Sequence, residues 1–390
     1  MNANWNYPTS IRVGAERLSE LGEVCRDLGI RIPLLVTDPG LAALPMVAQA
    51  TEACSSAGIP CTVFSDVRPN PTGSNIDDGV KAFNQGGHDG VIALGGGSAL
   101  DAAKAIALMA RQDVSISLWD LEDVGDNWTR ANASTIAPIV AVPTTAGTGS
   151  EVGRASVILD EAHKVKKIIF HPSMVPQIVI LDPVVTVGLP PGLTAATGMD
   201  ALSHSLEAWC SPMYHPMAEG IAIEGIRLVR EFLPAAVANG ADLEARTQML
   251  VASTMGATAF QRGLGAMHAL AHPLGALYDA HHGMLNAVLM PYVLLANRSV
   301  IEGRITRLAR SIDIANPGFQ TFLDWVLKMR QTLQIPSDLA ALGIDDGLAE
   351  QVGVMAQADP SGGTNPILFS PSEYQTIFLK ALRGDLEGSA

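Results

Sequence analysis

Short apolar runs alternate with amphipathic stretches through the first half of the chain. Apolar runs closed by Gly, Pro or Asp predict buried strands, and segments with apolar residues every three or four positions predict helices. The strands are predicted at 32–38, 61–67, 89–98, 138–145 and 178–183, and the helices at 46–58, 76–87 and 99–110. This alternation favours parallel strands joined by helical crossovers.

The pattern changes near residue 190. A Pro- and Gly-rich segment at 189–198 follows the last predicted strand, and Leu, Ala, Met, Glu and Arg at helical spacing dominate the rest of the chain. We therefore predict two domains, an α/β domain with a parallel sheet over residues 1–188 and an all-α domain over residues 189–390.

Composition and charge exclude several classes of protein. Of the 390 residues, 48% are hydrophobic and 16% are charged, whereas disordered chains combine low hydrophobicity with high charge. The net charge of −14 and the lack of Lys- and Arg-rich runs argue against a nucleic-acid partner. The most apolar stretch, 284–296, is interrupted by Asn286 and Pro291 and is shorter than the ~20 residues of a membrane span, so we expect no membrane partner.

Cysteine usage and the N-terminal sequence predict a location. The four cysteines have no CxxC spacing, which argues against a disulfide framework or a zinc ribbon. The first ten residues, MNANWNYPTS, lack the charged and apolar regions of a secretory signal. We expect a soluble, cytoplasmic protein.

A glycine-rich segment lies between a predicted strand and a predicted helix. In Gly95-Gly96-Gly97-Ser98 the backbone can approach a ligand closely, and the helix N-terminus offers free N–H groups to a phosphate. Ser98 and Asp101 have the spacing of a capping box. The segment departs from the GxGxxG pattern because residue 100 is Leu, and a plain turn is the alternative interpretation.

Two further segments are candidates for nucleotide contacts. The run 143–150, PTTAGTGS, follows the apolar part of the strand at 138–142 and is rich in small hydroxyl and glycine residues that could line a diphosphate or ribose. Asp38 ends the strand at 32–38, where a carboxylate can bind a ribose diol and repel a 2′-phosphate. The alternatives are a flexible Thr/Ser turn and an Asp that initiates the turn before Pro39.

Histidine and aspartate residues form two pairs at helical spacing. Asp200 and His204 are four residues apart, as are His268 and His272, so the members of each pair share a helix face. Two such pairs on separate helices predict a site for Fe(II) or Zn(II), although a packed core histidine is the simpler explanation for any one of them.

A further candidate ligand follows the second pair. His282 lies 14 residues after His268, about 21 Å along a straight helix, so it can reach the same metal only if the chain turns back. The residues that would permit such a turn are Pro273, Gly275, Asp279 and Gly283. His281, beside it, is an alternative ligand by composition.

Taken in order, these segments resemble the iron-containing (group III) alcohol dehydrogenase family. The resemblance covers essentially the whole chain and rests on GGGSALDAAKA, PTTAGTGSEV, TGMDALSHSLEAW, GAMHALAHPLGALYDAHHGMLNAVLMPYV and the late TNP at 364–366. It implies an N-terminal dinucleotide-binding α/β domain, an all-helical C-terminal metal-binding domain and an active site in the cleft between them.

The resemblance also implies roles for individual residues. The metal ligands would be Asp200, His204, His268 and His282, with His272 near the metal in proton transfer. The coenzyme contacts would be Asp38, Asn70, Gly96, Gly97, Ser98, Asp101, Thr144, Thr145, Thr148 and Lys167. Fe(II), with Zn(II) as the second choice, NAD in preference to NADP, small alcohol or aldehyde substrates and a homodimer are expected.

The sequence departs from the family pattern in two places. The stretch from Phe260 to Gly265 is one residue shorter than in many members, which leaves the substrate-facing register open. His281 stands where the family commonly has Pro, and the match of His282 to the position before Gly283 favours His282 as the ligand.

The predicted activity is metal-dependent, NAD(P)(H)-linked interconversion of an alcohol with an aldehyde or ketone. The alternatives are a dehydroquinate synthase-like or glycerol dehydrogenase-like enzyme on the same scaffold, a metallohydrolase, and a non-catalytic protein stabilised by a metal. Arg154 and Arg262 could each pair with an anionic substrate, although helix packing or a surface position is the simpler role for both.

Overall fold

The structure is a computed structural model, and it describes residues 9–386. The first eight residues of the segment inspected for a secretory signal therefore lie outside the described residues. The strands are Ser10–Val13 (β1), Pro33–Val36 (β2), Thr62–Phe64 (β3), Gly90–Gly95 (β4), Ile139–Pro143 (β5), Ala155–Asp160 (β6), Val165–Phe170 (β7) and Ile178–Leu181 (β8). The helices are Leu21–Asp27 (α1), Pro39–Ala42 (α2), Pro45–Ser56 (α3), Gly73–Gln85 (α4), Gly97–Met109 (α5), Pro191–Cys210 (α6), Pro216–Ala238 (α7), Leu243–Ala259 (α8), Ala266–Tyr278 (α9), His282–Ser311 (α10), Phe319–Thr332 (α11), Ala349–Ala358 (α12) and Pro371–Arg383 (α13).

Contacts divide the chain into two compact units, of which one ends at Gly188 and the other begins at Leu189. The first contains a parallel six-stranded sheet in the order β1-β8-β5-β4-β2-β3. The second is helical. The predicted fold classes, α/β followed by all-α, are confirmed.

The strand order of the sheet reverses between β2 and β4. From β2 the chain moves outward to β3, then crosses back to β4 on the other side of β2 and continues to β5 and β8. In open parallel sheets, ligands bind outside the carboxyl ends of the strands at such a reversal. The ends of β2, β4 and β5 are followed by Asp38, Gly96 and Thr144, respectively.

One hydrophobic cluster of this unit lies on one face of the sheet. Helices α1 and α3 cover that face with Leu21, Val24 and Ala50, which pack with the strand residues Leu35 and Ile92. Helix α5 packs against β4 and β5. Strands buried on both faces account for the continuous apolar runs in the sequence.

An antiparallel hairpin, β6–β7, was missed by the sequence analysis. Asp160 pairs with Val165 next to its turn, where Lys164 has a left-handed backbone conformation with φ of 54°. Val157 N–H donates to the Asp101 carboxylate of α5 over 2.9 Å, which attaches the hairpin to that helix. Charged residues at its turn interrupt the apolar alternation that would have predicted two strands.

Two prolines that the sequence analysis treated as interruptions lie inside continuous helices. Pro273 is within α9, and Pro291 is within the 30-residue α10. The expectation that 284–296 forms a short, interrupted stretch was therefore wrong. Among the described residues, α10 is the one helix long and apolar enough to cross a membrane, but 67% of its most apolar window is buried in the structure, as in the core helix of a soluble protein.

Arg262 is a structural residue of the helical unit. Its guanidinium, 1% exposed, donates to the carbonyl oxygens of Ala208, Trp209 and Met213 over 2.9, 2.8 and 2.6 Å. A further nitrogen lies 2.8 Å from the Glu219 carboxylate. These contacts satisfy carbonyl groups at the end of α6, and they favour the packing role of Arg262 over the anion-binding role.

We expect Arg262→Met to destabilise the protein by about 3–5 kcal/mol, because it leaves buried carbonyl groups without their donor. Arg227, whose side chain is 39% exposed and pairs with Glu224 and Glu231 on α7, is the matched control. For Arg227→Met we expect a loss below about 1 kcal/mol. Denaturant unfolding measures both, and equal losses would contradict the structural role of Arg262.

Candidate metal and coenzyme sites

Three candidate ligands lie together in the helical unit. Asp200 and His204 are one turn apart on α6, and His268 is on α9. One ligand atom of each lies within 4.8 Å of those of the other two, and all three residues are buried. Side-chain donors this close can converge on one ion.

His282 joins this group and His281 does not. The chain reverses at Asp279, whose left-handed backbone (φ of 51°) ends α9, and α10 begins at His282. His282 Nε2 lies 3.7 Å from Asp200 Oδ1, and the imidazole rings of His282 and His268 are 5.2 Å apart. His281 is exposed and caps α10, accepting a hydrogen bond from Met284 N–H.

The protonation states of these side chains suit a metal. Burial opposes ionisation of Asp200, but the neighbouring His204, His282 and His268 outweigh it and hold the pKa of the carboxyl at about 2. Burial lowers the pKa of His268 well below its usual range. A metal needs an ionised carboxylate and neutral imidazoles, and the pKa shifts of Asp200 and His268 favour these forms. A carboxylate with imidazoles is a donor set that fits a divalent cation such as Fe(II) or Zn(II).

Asn286 reaches the same group and was missed by the sequence analysis. It is fully buried, one helical turn after His282, and its Nδ2 lies 2.8 Å from Asp200 Oδ1 and 3.2 Å from Nε2 of both His268 and His282. Its spacing of four residues from His282, which places both side chains on one helix face, was the indication of this role in the sequence.

His272 lies beside the group with its Nδ1 engaged elsewhere. That atom is 2.8 Å from Asp359 Oδ2, and the imidazole stacks on the ring of His282 at 5.4 Å. Burial works against ionisation of Asp359, but the charge and hydrogen bond of His272 prevail and lower the pKa of the carboxyl. With Nδ1–H donating to Asp359, Nε2 of His272 is the atom that can accept or release a proton.

Two other side chains of the site were also missed. Glu207 lies seven residues after Asp200 on α6, and its Oε2 is 2.6 Å from His268 Nδ1. Burial raises the pKa of Glu207 to about 7. Asp359 had no indication in the sequence, since it contacts His272 from 87 residues away.

Phe260, in the shortened stretch before α9, packs directly on a candidate ligand. Its ring meets the imidazole of His204 edge-on, with centroids 5.2 Å apart. The stretch then turns at Gly263, where φ is 120°. The shortened stretch therefore still presents an aromatic ring to the ligand group.

In the α/β unit, the two candidate nucleotide loops, the glycine loop at 95–98 and the Thr-rich loop at 143–150, lie side by side because β4 and β5 are neighbours. Gly95 pairs with Pro143 at the ends of these strands. A Cβ on Gly97 would lie 2.6 Å from Thr148 Cγ2, so only glycine permits this approach of the loops. Thr145 contacts the Gly96 side of the same junction, and Thr144 N–H donates to the Gly95 carbonyl over 2.9 Å.

The predicted capping box of Ser98 and Asp101 was wrong. Gly96 is the N-cap of α5, and Ser98 lies within the helix, where its hydroxyl donates to the Pro69 carbonyl. Asp101 instead accepts from Ser150 Oγ over 2.5 Å, besides its bond from the hairpin. Asp101 thus links the glycine loop's helix to the Thr-rich loop.

Asp38 lies at the end of β2 next to the glycine loop. Its Oδ1 caps α2 by accepting from Leu41 N–H over 3.0 Å, and a Cβ on Gly95 would be 3.8 Å from its Oδ2. Oδ2 therefore faces the loop at the strand-order reversal.

The remaining two candidates occupy different surroundings. Asn70 belongs to the same loop as Pro69, whose carbonyl accepts from Ser98, so it lies near the start of α5. Lys167 lies on β7, and its ammonium is 3.3 Å from Asp160 and 3.4 Å from Glu122. Two carboxylates already compete for the Lys167 charge.

Comparison with known proteins places the chain in a family. The family model for iron-containing alcohol dehydrogenase matches residues 8–183, and the model of the C-terminal domain of Fe-containing alcohol dehydrogenases matches residues 194–382. The chain belongs to the iron-containing alcohol dehydrogenase family. It is an NAD-linked enzyme that interconverts alcohols and aldehydes, as the similarities below also support.

Several known proteins resemble this chain over almost all of its length. A 4-hydroxybutyrate dehydrogenase of Cupriavidus necator is 37% identical over 96% of this chain and 99% of the relative. A crystal structure of 1,3-propanediol oxidoreductase superposes with a TM-score of 0.93 at 34% identity, covering 98% of this chain and 100% of that one. The structure of sulfoacetaldehyde reductase from Bifidobacterium kashiwanohense, solved in complex with NAD+, superposes with a TM-score of 0.89 at 28% identity. It covers 98% of this chain and 99% of that one.

The Asp38 carboxylate should set the coenzyme preference. We expect NADH to be favoured over NADPH, because repulsion of a 2′-phosphate is worth about 1–3 kcal/mol, or about 5- to 150-fold in kcat/KM. Asp38→Asn is the sharpest variant, since Asn caps a helix as well as Asp does but has no charge. It should gain activity with NADPH, as should Asp38→Gly. A wild-type enzyme that prefers NADPH would contradict this placement of Asp38.

Proposed function

We propose that Asp200, His204, His268 and His282 bind one Fe(II) ion, with Zn(II) as a functional substitute, and that the enzyme is an NAD(H)-dependent alcohol dehydrogenase and aldehyde reductase. The single observation that carries the proposal is the convergence of buried donor atoms from α6 and α9 within 4.8 Å. When bound, the metal supplies Lewis-acid polarisation of the substrate oxygen, and the nicotinamide carries the hydride.

The residues of this chain do the binding and the proton transfer. The glycine loop and the Thr-rich loop, with Gly96, Gly97, Ser98, Asp101, Thr144, Thr145 and Thr148, hold the coenzyme diphosphate at the start of α5. Asp38 binds the adenosine ribose, and Asn70 and Lys167 make further nucleotide contacts. The N-terminus of α5 favours the phosphate charge.

His272 moves the proton that the alcohol oxygen loses or gains. Its Nδ1 is held by Asp359 over 2.8 Å, so the proton is exchanged at Nε2. The side chain is 19% exposed and can pass that proton to water. With Asp200, His204, His268 and His282 as the proposed ligands, His272 as a fifth would take the position that a substrate oxygen needs.

The substrate class we propose is a small aliphatic alcohol or aldehyde. Relatives named for 4-hydroxybutyrate and 1,3-propanediol support this range. Arg262 is committed to α6, so it does not recognise an acidic substrate. Turnover with NADH of a panel of neutral and acidic aldehydes, such as 3-hydroxypropanal and succinic semialdehyde, tests which class is preferred. No turnover of any aldehyde by metal-loaded protein would contradict the proposed function.

A cytoplasmic location and a homodimer complete the proposal. The free cysteines Cys25, Cys54, Cys61 and Cys210 support a reducing compartment. Light scattering of the purified protein tests the dimer, and a monomer at micromolar concentration would contradict it.

We expect His268→Ala and Asp200→Ala to remove bound metal and activity while leaving the fold intact. Each variant loses a ligand from a four-ligand set, and the three that remain bind the ion less tightly. His281→Ser is the matched control, because Ser also caps a helix and His281 lies outside the group. Elemental analysis after dialysis measures the metal, and wild-type content in both ligand variants would refute the assignment.

For His272→Ala we expect full metal content, unchanged NADH binding and a loss of about 10²–10⁴ in kcat, since a positioned general acid–base contributes that much. Asp359→Asn should lose less kcat, because the imidazole remains but is held less firmly in its orientation. Metal stoichiometry and turnover are measured on the same preparation. Loss of metal would make His272 a ligand, and unchanged turnover would make it a packed helix residue.

A further inference from the structure

One face of α6 carries three ionisable residues, of which only two are candidate ligands. Asp200, His204 and Glu207 are spaced at i, i+4 and i+7, so they follow one another along the same side of the helix. The side chain of Glu207 is 3% exposed. A carboxylate buried this deeply is costly unless its oxygens are bound by donors.

All the donors of Glu207 come from the beginning of α9. Oε1 accepts from Met267 N–H over 2.7 Å, and Oε2 accepts from Gly265 N–H over 2.8 Å and from His268 Nδ1 over 2.6 Å. The first N–H groups of a helix lack partners within the helix and carry a partial positive charge. One carboxylate therefore attaches α9 to α6 and binds the ring of His268 at the same time.

The approach is close enough to require a glycine. A Cβ on Gly265 would lie 2.9 Å from Glu207 Oε1 and 2.8 Å from Asn365 Oδ1. Asn365 supports the same turn, since its Oδ1 accepts from Ala266 N–H over 3.0 Å, and its own amide is bonded to Asn297 Oδ1 over 2.9 Å. The surroundings of the Glu207 carboxylate leave it little freedom to move.

The hydrogen bond to Nδ1 decides which nitrogen of His268 can bind a metal. A carboxylate at Nδ1 requires the proton there, so the lone pair is on Nε2. Nε2 is the nitrogen next to Asn286 Nδ2, which also contacts Asp200 and His282. The carboxylate therefore directs the lone pair of His268 toward the other ligands.

We propose that Glu207 is a positioning residue for the metal, which orients His268 and holds α9 against α6 so that the ligands of the two helices meet. This inference rests on the proposed function, because it takes the four-ligand site as its starting point. Glu207 touches neither metal nor substrate in this account and acts through His268.

The test uses Zn(II) as the probe and the metal-free full-length protein. Zn(II) affinity is measured by competition with a chelator for wild type, Glu207→Gln and Glu207→Asp. We expect Glu207→Gln to bind Zn(II) about 10- to 100-fold more weakly, the usual effect of losing such a partner. Its amide NH₂ can donate to Nδ1, which would move the ring proton to Nε2 and block the ligand atom. Glu207→Asp retains the charge but is shorter, so a smaller loss is expected.

A control separates positioning from general stability. Glu219→Gln changes a carboxylate in the same unit that pairs with Arg262 and Arg304, away from the ligands. It should lower the thermal midpoint of the metal-free protein while leaving Zn(II) affinity unchanged. The absorption spectrum of Co(II)-loaded Glu207→Asp supplies a second readout if Glu207→Gln does not fold, and an altered ligand-field spectrum is expected.

The outcomes distinguish this inference from the proposed function. Zn(II) affinity of Glu207→Gln within twofold of wild type, or an unchanged Co(II) spectrum in Glu207→Asp, would overturn the positioning role alone. A loss of affinity in Glu219→Gln equal to that in Glu207→Gln would reduce Glu207 to a stabilising residue. A wild-type protein that binds no Zn(II) would overturn both the four-ligand site and its positioning residue.

Discussion

The close approach of α10 to α6 is the constraint on which the candidate metal site depends. A Cβ on Gly283 would lie 2.4 Å from the Ala196 carbonyl oxygen and 3.1 Å from Asp200 Cβ, so only glycine fits at this crossing. The residue before it is His282. Any larger residue at 283 would push α10 away from α6 and withdraw the imidazole from Asp200. Helix packing here is therefore part of the site's chemistry.

A second consequence of this packing is electrostatic. Asp200 is buried, which disfavours its ionised form, but the positive charge of the neighbouring imidazoles when protonated and the hydrogen bond from the Asn286 amide lower the pKa of its carboxyl to about 2. Buried charge of this kind is maintained only by close partners, and a divalent cation can take the place of the protons on the imidazoles as the partner of the carboxylate. At this point the helical unit buries paired ionisable side chains, whereas a purely structural core would bury apolar residues.

Much of the fold could be predicted from the sequence because its signals are local. Buried parallel strands produce continuous apolar runs, and the pairs Asp200–His204 and His268–His272 reveal themselves by helical period. What could not be predicted depends on long-range contacts. Pro273 and Pro291 are tolerated because the helices that contain them are packed on other helices. Asp359 meets His272 across 87 residues, and no spacing rule connects them. The predicted cap at Ser98 was wrong because both side chains of the expected capping box make tertiary contacts instead. Ser98 bonds to Pro69, and Asp101 bonds to Ser150.

The most direct test of the account is the position of the metal itself. Crystals of the iron-loaded protein, measured at energies above and below the iron absorption edge, give an anomalous difference map that locates the ion independently of any model. The account predicts one strong peak per chain, about 2.0–2.2 Å from one oxygen of Asp200 and one nitrogen each of His204, His268 and His282. A peak elsewhere, or one that is bound by His281 or His272 in place of these ligands, would contradict it.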